Sequence, residues 1–359
     1  MISYFFNKLF YAFFTLFGVV TMVFFLFNIL PGDPARMMLD QNENSTQLAV
    51  VKKKYGFDQP LSKQYLYYLN DLSPLSFHSM QSDDYTFCSP GKYQEASIVS
   101  FQRFQIVLKK PYLRESFQKN GKKVSTIIVE TLPNTVFLAV FAIGIALFIG
   151  IILGIFSALN KDSWLDKSIA IFSTFGMSIP SFFSAILFAW IFGFLLHDWT
   201  HLNMTGNLYE VDDFGNGKVL QLKNSILPAI VLGIRPLAVV IQLMRNALLE
   251  VLNQDYIRTA KAKGLSTVRI VYKHALKNAL NPVITAISGW FASMLAGAVF
   301  VEYIFGWNGL GKEIVEALNT LDLPVIMGSV LIIAITFVFI TILVDLIYAY
   351  LDPKVKLKQ

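Results

Sequence analysis

Residues 254–278 read QDYIRTAKAKGLSTVRIVYKHALKN, a basic, helix-prone stretch between two long apolar runs. Residues 253–263 favour a helix, and Gly264 is suited to end it because glycine readily adopts the left-handed conformation found after many helices. Ser266 or Thr267 can cap a second helix through a side-chain oxygen. The stretch therefore predicts two short helices separated at Gly264.

The second predicted helix carries a basic stripe, because Arg269, Lys273 and Lys277 are spaced four residues apart. Its predicted apolar face consists of Val268, Val271, Tyr272 and Ala275. Such a helix suits either an anionic lipid surface or a protein partner, and the spacing leaves both interpretations open.

The composition indicates an integral membrane protein. Hydrophobic residues make up 55% of the 359 residues and charged residues 15%, whereas a soluble domain carries about 25% charged residues. The net charge of +6 is spread over loops, which argues against a nucleic-acid-binding face. Cys88 is the single cysteine, so an intramolecular disulfide is excluded.

Six apolar segments are long enough to cross a bilayer core, which takes roughly 20 helical residues. They are residues 9–30, 133–159, 168–196, 226–248, 282–301 and 323–350. The first is longer than the roughly 7–15 apolar residues of a signal peptide, so we expect it to be retained. The predicted fold class is an all-α integral membrane protein with six transmembrane helices.

The chain divides accordingly into four parts. These are a first transmembrane helix (1–30), an external region (31–132), a five-helix core (133–350) that includes the loop 250–281, and a tail (351–359). Within the polar external insertion, residues 52–71 and 95–120 are predicted to be helical, and residues 73–93 to form a loop.

Lysine and arginine are concentrated in alternate short loops. One side holds Lys8, Lys161, Lys167, the seven basic residues from Arg245 to Lys277, and Lys354, Lys356 and Lys358, while the other holds Lys218, Lys223 and Lys312. By the positive-inside rule, both termini and the opening stretch are expected to be cytoplasmic.

Arg235 is the one ionisable residue well inside a predicted span, about 13 Å from the span's external end at 1.5 Å per residue. An arginine at mid-helix costs about 2.5–3.5 kcal/mol on insertion. It could face a water-filled path and meet a substrate carboxylate, or it could snorkel or form a structural ion pair. No buried acidic or histidine relay is visible, so proton coupling is not expected.

Two stripes of small residues, Gly150, Gly154 and Ala158, and Gly289, Ser293 and Gly297, suit close helix packing or a narrow substrate path. Pro180 predicts a kink within the third span. We assign Arg235, Pro180, Ser293 and Gly297 to a candidate translocation path.

No catalytic or metal site is predicted. The segment 306–313, GWNGLGKE, resembles a phosphate-binding loop, but Glu313 stands where that motif has Ser or Thr, and a span precedes the segment instead of a strand. His197 and His201 are four residues apart without a third ligand.

The stretch 255–285, DYIRTAKAKGLSTVRIVYKHALKNALNPVIT, resembles the cytoplasmic loop of ABC-importer permeases, most of all the dipeptide/oligopeptide/nickel branch. Arg258, Thr259, Ala260 and Gly264 occupy positions of that superfamily's E-A-A-x-x-x-G motif, although the Glu is absent. Further similar segments are LPGDP (30–34), YGFDQPLSKQY (55–65), SWLDK (163–167), SIPSFF (178–183) and FVEYIFGWNGLGKEIVEAL (300–318). The external stretch 72–123 is longer than the family pattern, and Arg235 departs from it.

The resemblance implies a type I importer permease in a bacterial cytoplasmic (inner) membrane. It implies a path shared with a second permease, as a heterodimer, together with two cytoplasmic ATPases and an external solute-binding protein. This chain would be no enzyme and bind no cofactor, because the ATPases use the ATP and magnesium. Transport would follow alternating access.

The same resemblance implies that the opening stretch couples the permease to an ATPase. The implied coupling residues are Arg258, Thr259, Ala260, Ala262, Gly264, Leu265 and Ser266. Peptides are the first expected substrate, with nickel or another small solute open. A stand-alone secondary transporter or channel is the alternative function.

Overall fold

The computed structural model describes residues 2–29, 34–37, 45–82, 84–88, 92–93, 95–119, 121–212 and 217–351. Its helices are α1 (Ile2–Ile29), α2 (Pro34–Met37), α3 (Ser45–Tyr55), α4 (Leu61–Leu72), α5 (Val124–Leu159), α6 (Trp164–Ser178), α7 (Ser181–Phe188), α8 (His197–Thr200), α9 (Ile226–Leu252), α10 (Asp255–Ala262), α11 (Thr267–Ile270), α12 (Leu276–Ala279), α13 (Asn281–Phe305), α14 (Leu310–Thr320) and α15 (Leu323–Leu351). The strands are β1 (Leu75–Ser79), β2 (Glu95–Ser100), β3 (Phe104–Lys109), β4 (Tyr209–Val211) and β5 (Lys218–Leu220). Two π-helical turns, Ala189–Leu195 and Val271–Ala275, and a 3-10 turn, Leu222–Ser225, accompany them.

The long apolar helices coincide with the predicted spans. Four helical segments of the described residues are long and apolar enough to cross a membrane: Asn7–Asn28, Val124–Leu159, Leu222–Leu252 and Leu323–Val344. A bent pair, Trp164–Ser178 with Ser181–Leu195, makes a fifth if it is one span. The remaining predicted span coincides with α13, which has 25 residues, so the count of six stays a prediction.

The third predicted span is broken, and its change of direction is larger than the kink expected from Pro180. Helices α6 and α7 meet at an angle of 108°. Ile179 and Pro180 between them are extended, with ψ of 132° and 137°. Proline disfavours the helical conformation of the preceding residue and offers no backbone N–H. Both effects act at this junction.

The chain forms two compact units, which we describe separately. The first consists of Met1–Ala12, Thr131–Val315 and Ile333–Gln359, and the second of Phe13–Glu130 and Glu316–Ile332. In the first unit, α9 packs against α5, α6, α7 and α13 and has thirteen buried residues.

One of the two small-residue stripes packs helices together. A Cβ added to Gly150 would lie 2.7 Å from Val240 Cγ1, and one added to Gly154 would lie 2.7 Å from Met244 Cβ. These glycines therefore allow α5 to approach α9 closely, as expected for small residues in membrane helices. Gly289 of the other stripe has no atom within 4 Å of its would-be Cβ, so the two stripes are not equivalent.

The second unit contains a three-stranded antiparallel sheet in the order β1-β3-β2. The helix predicted for residues 95–120 and the unbroken loop predicted for residues 73–93 are therefore wrong. Leu75 pairs with Leu108 and Phe77 with Ile106 across β1 and β3. The β-branched and aromatic residues of these strands suit a pleated sheet, and local helix propensity is a weak prior against that tertiary context. The helices predicted for residues 52–71 are confirmed by α3 and α4.

Asp71 forms the polar centre of this unit. Its side chain is 1% exposed and accepts hydrogen bonds from Tyr85 Oη (2.8 Å), Tyr93 Oη (3.1 Å) and Arg114 Nε (2.9 Å). A buried carboxylate is tolerated when it is paired and hydrogen-bonded. Residues outside the helical spans thus build a folded module from a network of charged and aromatic side chains.

Candidate functional site

A cavity of about 70 Å³ opens where the third span breaks. The lining residues are Gly176, Ile179, Ser181, Ser184, Val231, Leu232, Ile234, Arg235, Pro236, Trp290, Ser293 and Met294. They come from α6, α7, α9 and α13 and from the junction of the broken span, all within the first unit. The extended junction leaves room beside α9 that an unbroken helix would fill.

Arg235 is exposed to this cavity and carries its one charge. Its Nη2 donates a hydrogen bond of 3.3 Å to the carbonyl oxygen of Ile179, at the helix break. In the described part of the chain, no acidic side chain forms an ion pair with its guanidinium. The internal ion pair considered from the sequence is therefore not found among these residues.

Two of the other three predicted path residues lie at or next to the same cavity. Ser293 lines it, and Pro180 stands between the lining residues Ile179 and Ser181. Gly297 follows Ser293 by four residues on α13, but its surroundings lie outside what the structure describes. Three residues chosen separately from the sequence are thus brought together.

The loop between α9 and α13 has the predicted break. Helix α10 ends at Ala262, and Gly264 has φ of +73°, the left-handed conformation expected after a helix. Ser266 precedes α11 in the cap position, although its side chain makes no capping hydrogen bond. The two-helix prediction for this loop is confirmed, with a π-helical turn added between α11 and α12.

The predicted coupling residues divide between two environments. Ala260 is 5% exposed and belongs to the same buried cluster as Ile257 and Leu248. Arg258, Thr259, Ala262, Gly264 and Ser266 are exposed, and Leu265 is half-buried. The small side chain of Ala260 therefore allows α10 to pack against the chain's own core, while the neighbouring residues form an exposed surface.

The apolar face predicted for the second helix is only partly correct. Val271 and Ala275 are buried, but Val268 and Tyr272 are each 79% exposed. The helix widens at Val271–Ala275, and π-helical bonding joins residues five apart instead of four. A face assigned with 3.6 residues per turn is therefore not kept through this wider turn.

An ion pair that the sequence did not predict joins three elements near this loop. Arg245 of α9 donates to Asp166 at the start of α6, from Nε to Oδ1 and from Nη2 to Oδ2, both at 2.7 Å. Ser157 of α5 also donates to Asp166, and the backbone N–H of Asp162 donates to it at 2.9 Å. The two partners are 79 residues apart, so the sequence shows each of them only as a charged residue and does not indicate that they pair.

The segment resembling a phosphate loop binds a carboxylate of its own chain. Glu302 is fully buried, and its Oε2 accepts hydrogen bonds from the backbone N–H of Gly311 (2.7 Å) and of Lys312 (3.4 Å). A Cβ at Gly309 would lie 2.4 Å from Glu302 Cδ. These glycines therefore make room for Glu302 at the start of α14, where backbone N–H groups of the first turn have no partner within the helix and donate to its carboxyl oxygen instead.

No group of three metal-binding side chains (His, Cys, Asp or Glu) occurs among the described residues. His197 Nδ1 lies 2.8 Å from the carbonyl oxygen of Leu202, within hydrogen-bonding distance. His201 follows α8 in the left-handed conformation, with φ of +53°. The pair belongs to a turn.

Two family models match this chain. The family "Binding-protein-dependent transport system inner membrane component" matches residues 150–357, and its N-terminal companion family matches residues 1–100. The dipeptide transport system permease protein DppB of Alkalihalophilus pseudofirmus is 32% identical over 370 residues, covering 99% of this chain and 100% of the relative. DppB of Bacillus subtilis is 33% identical, covering 96% and 95%.

Among solved structures, a chain of the MetNI methionine ABC transporter in an inward-facing conformation has a TM-score of 0.50 and 16% identity. The match covers 63% of this chain and 97% of that chain. At this identity the likeness concerns the fold, and it confirms the predicted type I ABC importer permease architecture.

Proposed function

Because the chain belongs to the family of inner-membrane components of binding-protein-dependent transport systems, the permeases of ABC importers, we propose that it carries di- and oligopeptides into the cell. The observation that carries this proposal is similarity along nearly the whole chain to dipeptide permeases, at 32% identity over 99% of the residues. A stand-alone secondary transporter or channel is not favoured, since the family works with a binding protein.

The substrate path is proposed to run through the cavity at the broken span. Arg235, Pro180, Ser293 and Gly297 would contribute one half of it, and a second, similar permease would contribute the other half as a heterodimer. The exposure of Arg235 and Ser293 at the cavity supports this assignment. Alternating access would open the shared path to each side of the membrane in turn.

The exposed part of the loop between α9 and α13 is proposed to contact a cytoplasmic ATPase. Arg258, Thr259, Ala262, Gly264 and Ser266 would form the contact surface, with Leu265 at its edge, and Ala260 would hold α10 against the core. Two such ATPases would bind ATP and magnesium, so this chain would bind no cofactor itself. The N- and C-termini would lie on the same, cytoplasmic side as this loop, as the positive-inside rule predicts.

On the opposite side, an external solute-binding protein would deliver peptides to the pair of permeases. Residues 31–132 would face this compartment, including the sheet around Asp71. Membrane lipid would cover the apolar faces of the long helices, which expose many large side chains such as Phe10, Phe148 and Phe172.

Deletion and complementation in the native host test the proposal. Cells lacking this chain should lose most uptake of a labelled dipeptide, and the gene supplied in trans should restore it. An excess of unlabelled dipeptide should compete, whereas nickel should not. Unchanged dipeptide uptake in the deletion strain, with other peptide importers also removed, would refute the peptide assignment.

A further inference from the structure

We propose that Arg235 binds the carboxylate of the transported peptide, so that the permease itself prefers substrates with a free C-terminal carboxylate. This inference rests on the proposed function and names what the cavity recognises. It assigns to this chain a selectivity that the binding protein alone would otherwise provide.

The first argument is the placement of the charge. Arg235 lies on α9 within the apolar segment Leu222–Leu252. Charged side chains inside membrane spans are rare and mostly face a bundle interior or an aqueous path. Here the guanidinium faces the cavity at the break between α6 and α7.

The second argument compares Arg235 with Arg245 on the same helix. Arg245 has its charge balanced by two hydrogen bonds of 2.7 Å to the Asp166 carboxylate. Arg235 has one described hydrogen bond, of 3.3 Å, to the neutral carbonyl of Ile179. A guanidinium has five N–H donors, so most of the hydrogen-bonding capacity of Arg235 and its full charge are not matched by any described residue, at a position that lines the cavity.

The third argument is chemical complementarity. The planar guanidinium matches a carboxylate through two parallel hydrogen bonds, and this match is the reason that arginine suits carboxylate recognition better than lysine. Ser181 and Ser293 add hydroxyl groups to the lining, while Trp290 and Met294 add apolar surface. A peptide offers groups complementary to this lining, with a terminal carboxylate beside side chains of varied polarity.

The test compares a dipeptide with its C-terminal amide in proteoliposomes containing the complete transporter. Initial uptake rates are normalised to the measured occupancy of the binding protein by each substrate. We expect the unaltered protein to transport the free acid about tenfold faster than the amide. In Arg235→Gln, this acid-to-amide ratio should fall to about one, whereas Arg235→Lys should keep an intermediate ratio.

Arg103→Gln is the matched control, because Arg103 is exposed in the turn between β2 and β3 and is not one of the residues that line the cavity. It should leave the ratio unchanged. If Arg235→Gln keeps the ratio of the unaltered protein, or if the unaltered protein shows no preference, the inference is wrong. The preference of the unaltered protein can be measured even if the variants fail to assemble. Absence of ATP-dependent dipeptide uptake by the unaltered transporter would instead refute the proposed function.

Discussion

Arg245 and Asp166 form a two-point ion pair, from Nε to Oδ1 and from Nη2 to Oδ2, with both distances 2.7 Å. Asp166 also accepts hydrogen bonds from Ser157 and from the backbone of Asp162. One buried carboxylate therefore holds the end of α5, the start of α6 and the C-terminal third of α9 together.

Arg245→Ala is expected to destabilise the protein by about 2–3 kcal/mol, because Asp166 would remain buried with its charge only partly compensated. Thermal unfolding of the detergent-purified chain measures this. Arg245→Lys should recover only part of the loss, since an ammonium group cannot reproduce the two parallel bonds. Arg269→Ala, at an exposed position of the basic stripe, is the control. Equal unfolding temperatures for Arg245→Ala and this control would contradict the prediction.

Two neighbouring alanines separate docking from folding in the loop. Ala262→Arg places a long side chain on the exposed surface of α10, so the chain should fold normally but lose most of its co-purification with the ATPase. Ala260→Arg forces a charge into the buried cluster around Ile257 and should reduce the yield of folded chain instead. Both quantities are measured by tagged purification from cells that express all subunits. Normal ATPase capture by Ala262→Arg would contradict the proposed contact surface.

Gly309 is predicted to be intolerant of any side chain. Because an added Cβ would lie 2.4 Å from Glu302 Cδ, Gly309→Ala should displace the buried carboxylate and destabilise the protein by about 1–3 kcal/mol, as overpacked sites do. Gly289→Ala is the matched control, since its Cβ would meet nothing within 4 Å. Thermal unfolding of both variants checks the difference, and a Gly309→Ala protein as stable as the control would contradict it.

Alkaline pH should weaken the second unit. Burial raises the pKa of Tyr68 from 10.0 to about 12. Since the raised value belongs to the folded state, the stabilisation is complete below pH 10 and is lost as the pH rises from 10 towards 12, by up to about 1.4 kcal/mol per pH unit. Unfolding followed against pH should therefore show a higher alkaline midpoint for Tyr68→Phe, which keeps the ring but cannot ionise.

Tyr209→Phe is the control for this experiment, because Tyr209 is 52% exposed in β4. It should leave the alkaline midpoint unchanged. If Tyr68→Phe and the unaltered chain unfold at the same pH, ionisation of Tyr68 does not contribute to the alkaline transition.

The sequence predicted the parts of the fold that depend on local patterns. Apolar runs marked the long helices, and Gly264 marked the break between α10 and α11. The sheet in the second unit was missed because residues 95–120 mix polar and apolar residues without a clear period. Their strands are stabilised by pairing, with β3 between β1 and β2, and by packing around Asp71. That packing depends on residues distant in the sequence.

The candidate cavity shows the same division. Arg235, Pro180 and Ser293 were each noticeable in the sequence, as a charge, a helix breaker and a small polar residue within apolar segments. Their proximity follows from the 108° bend between α6 and α7, whereas Pro180 alone predicted a kink. The pairing of Arg245 with Asp166 could not be predicted, because counting basic residues assigns Arg245 to the cytoplasmic side without identifying a partner.

Peptide import driven by ATP is tested most directly by reconstituting this chain with its partner permease and ATPases in proteoliposomes. The measured quantity is uptake of a labelled dipeptide in the presence of the binding protein. We predict uptake against a gradient that requires ATP hydrolysis, and that ceases when this chain or the binding protein is omitted. Equal uptake without ATP, or without this chain, would contradict the account.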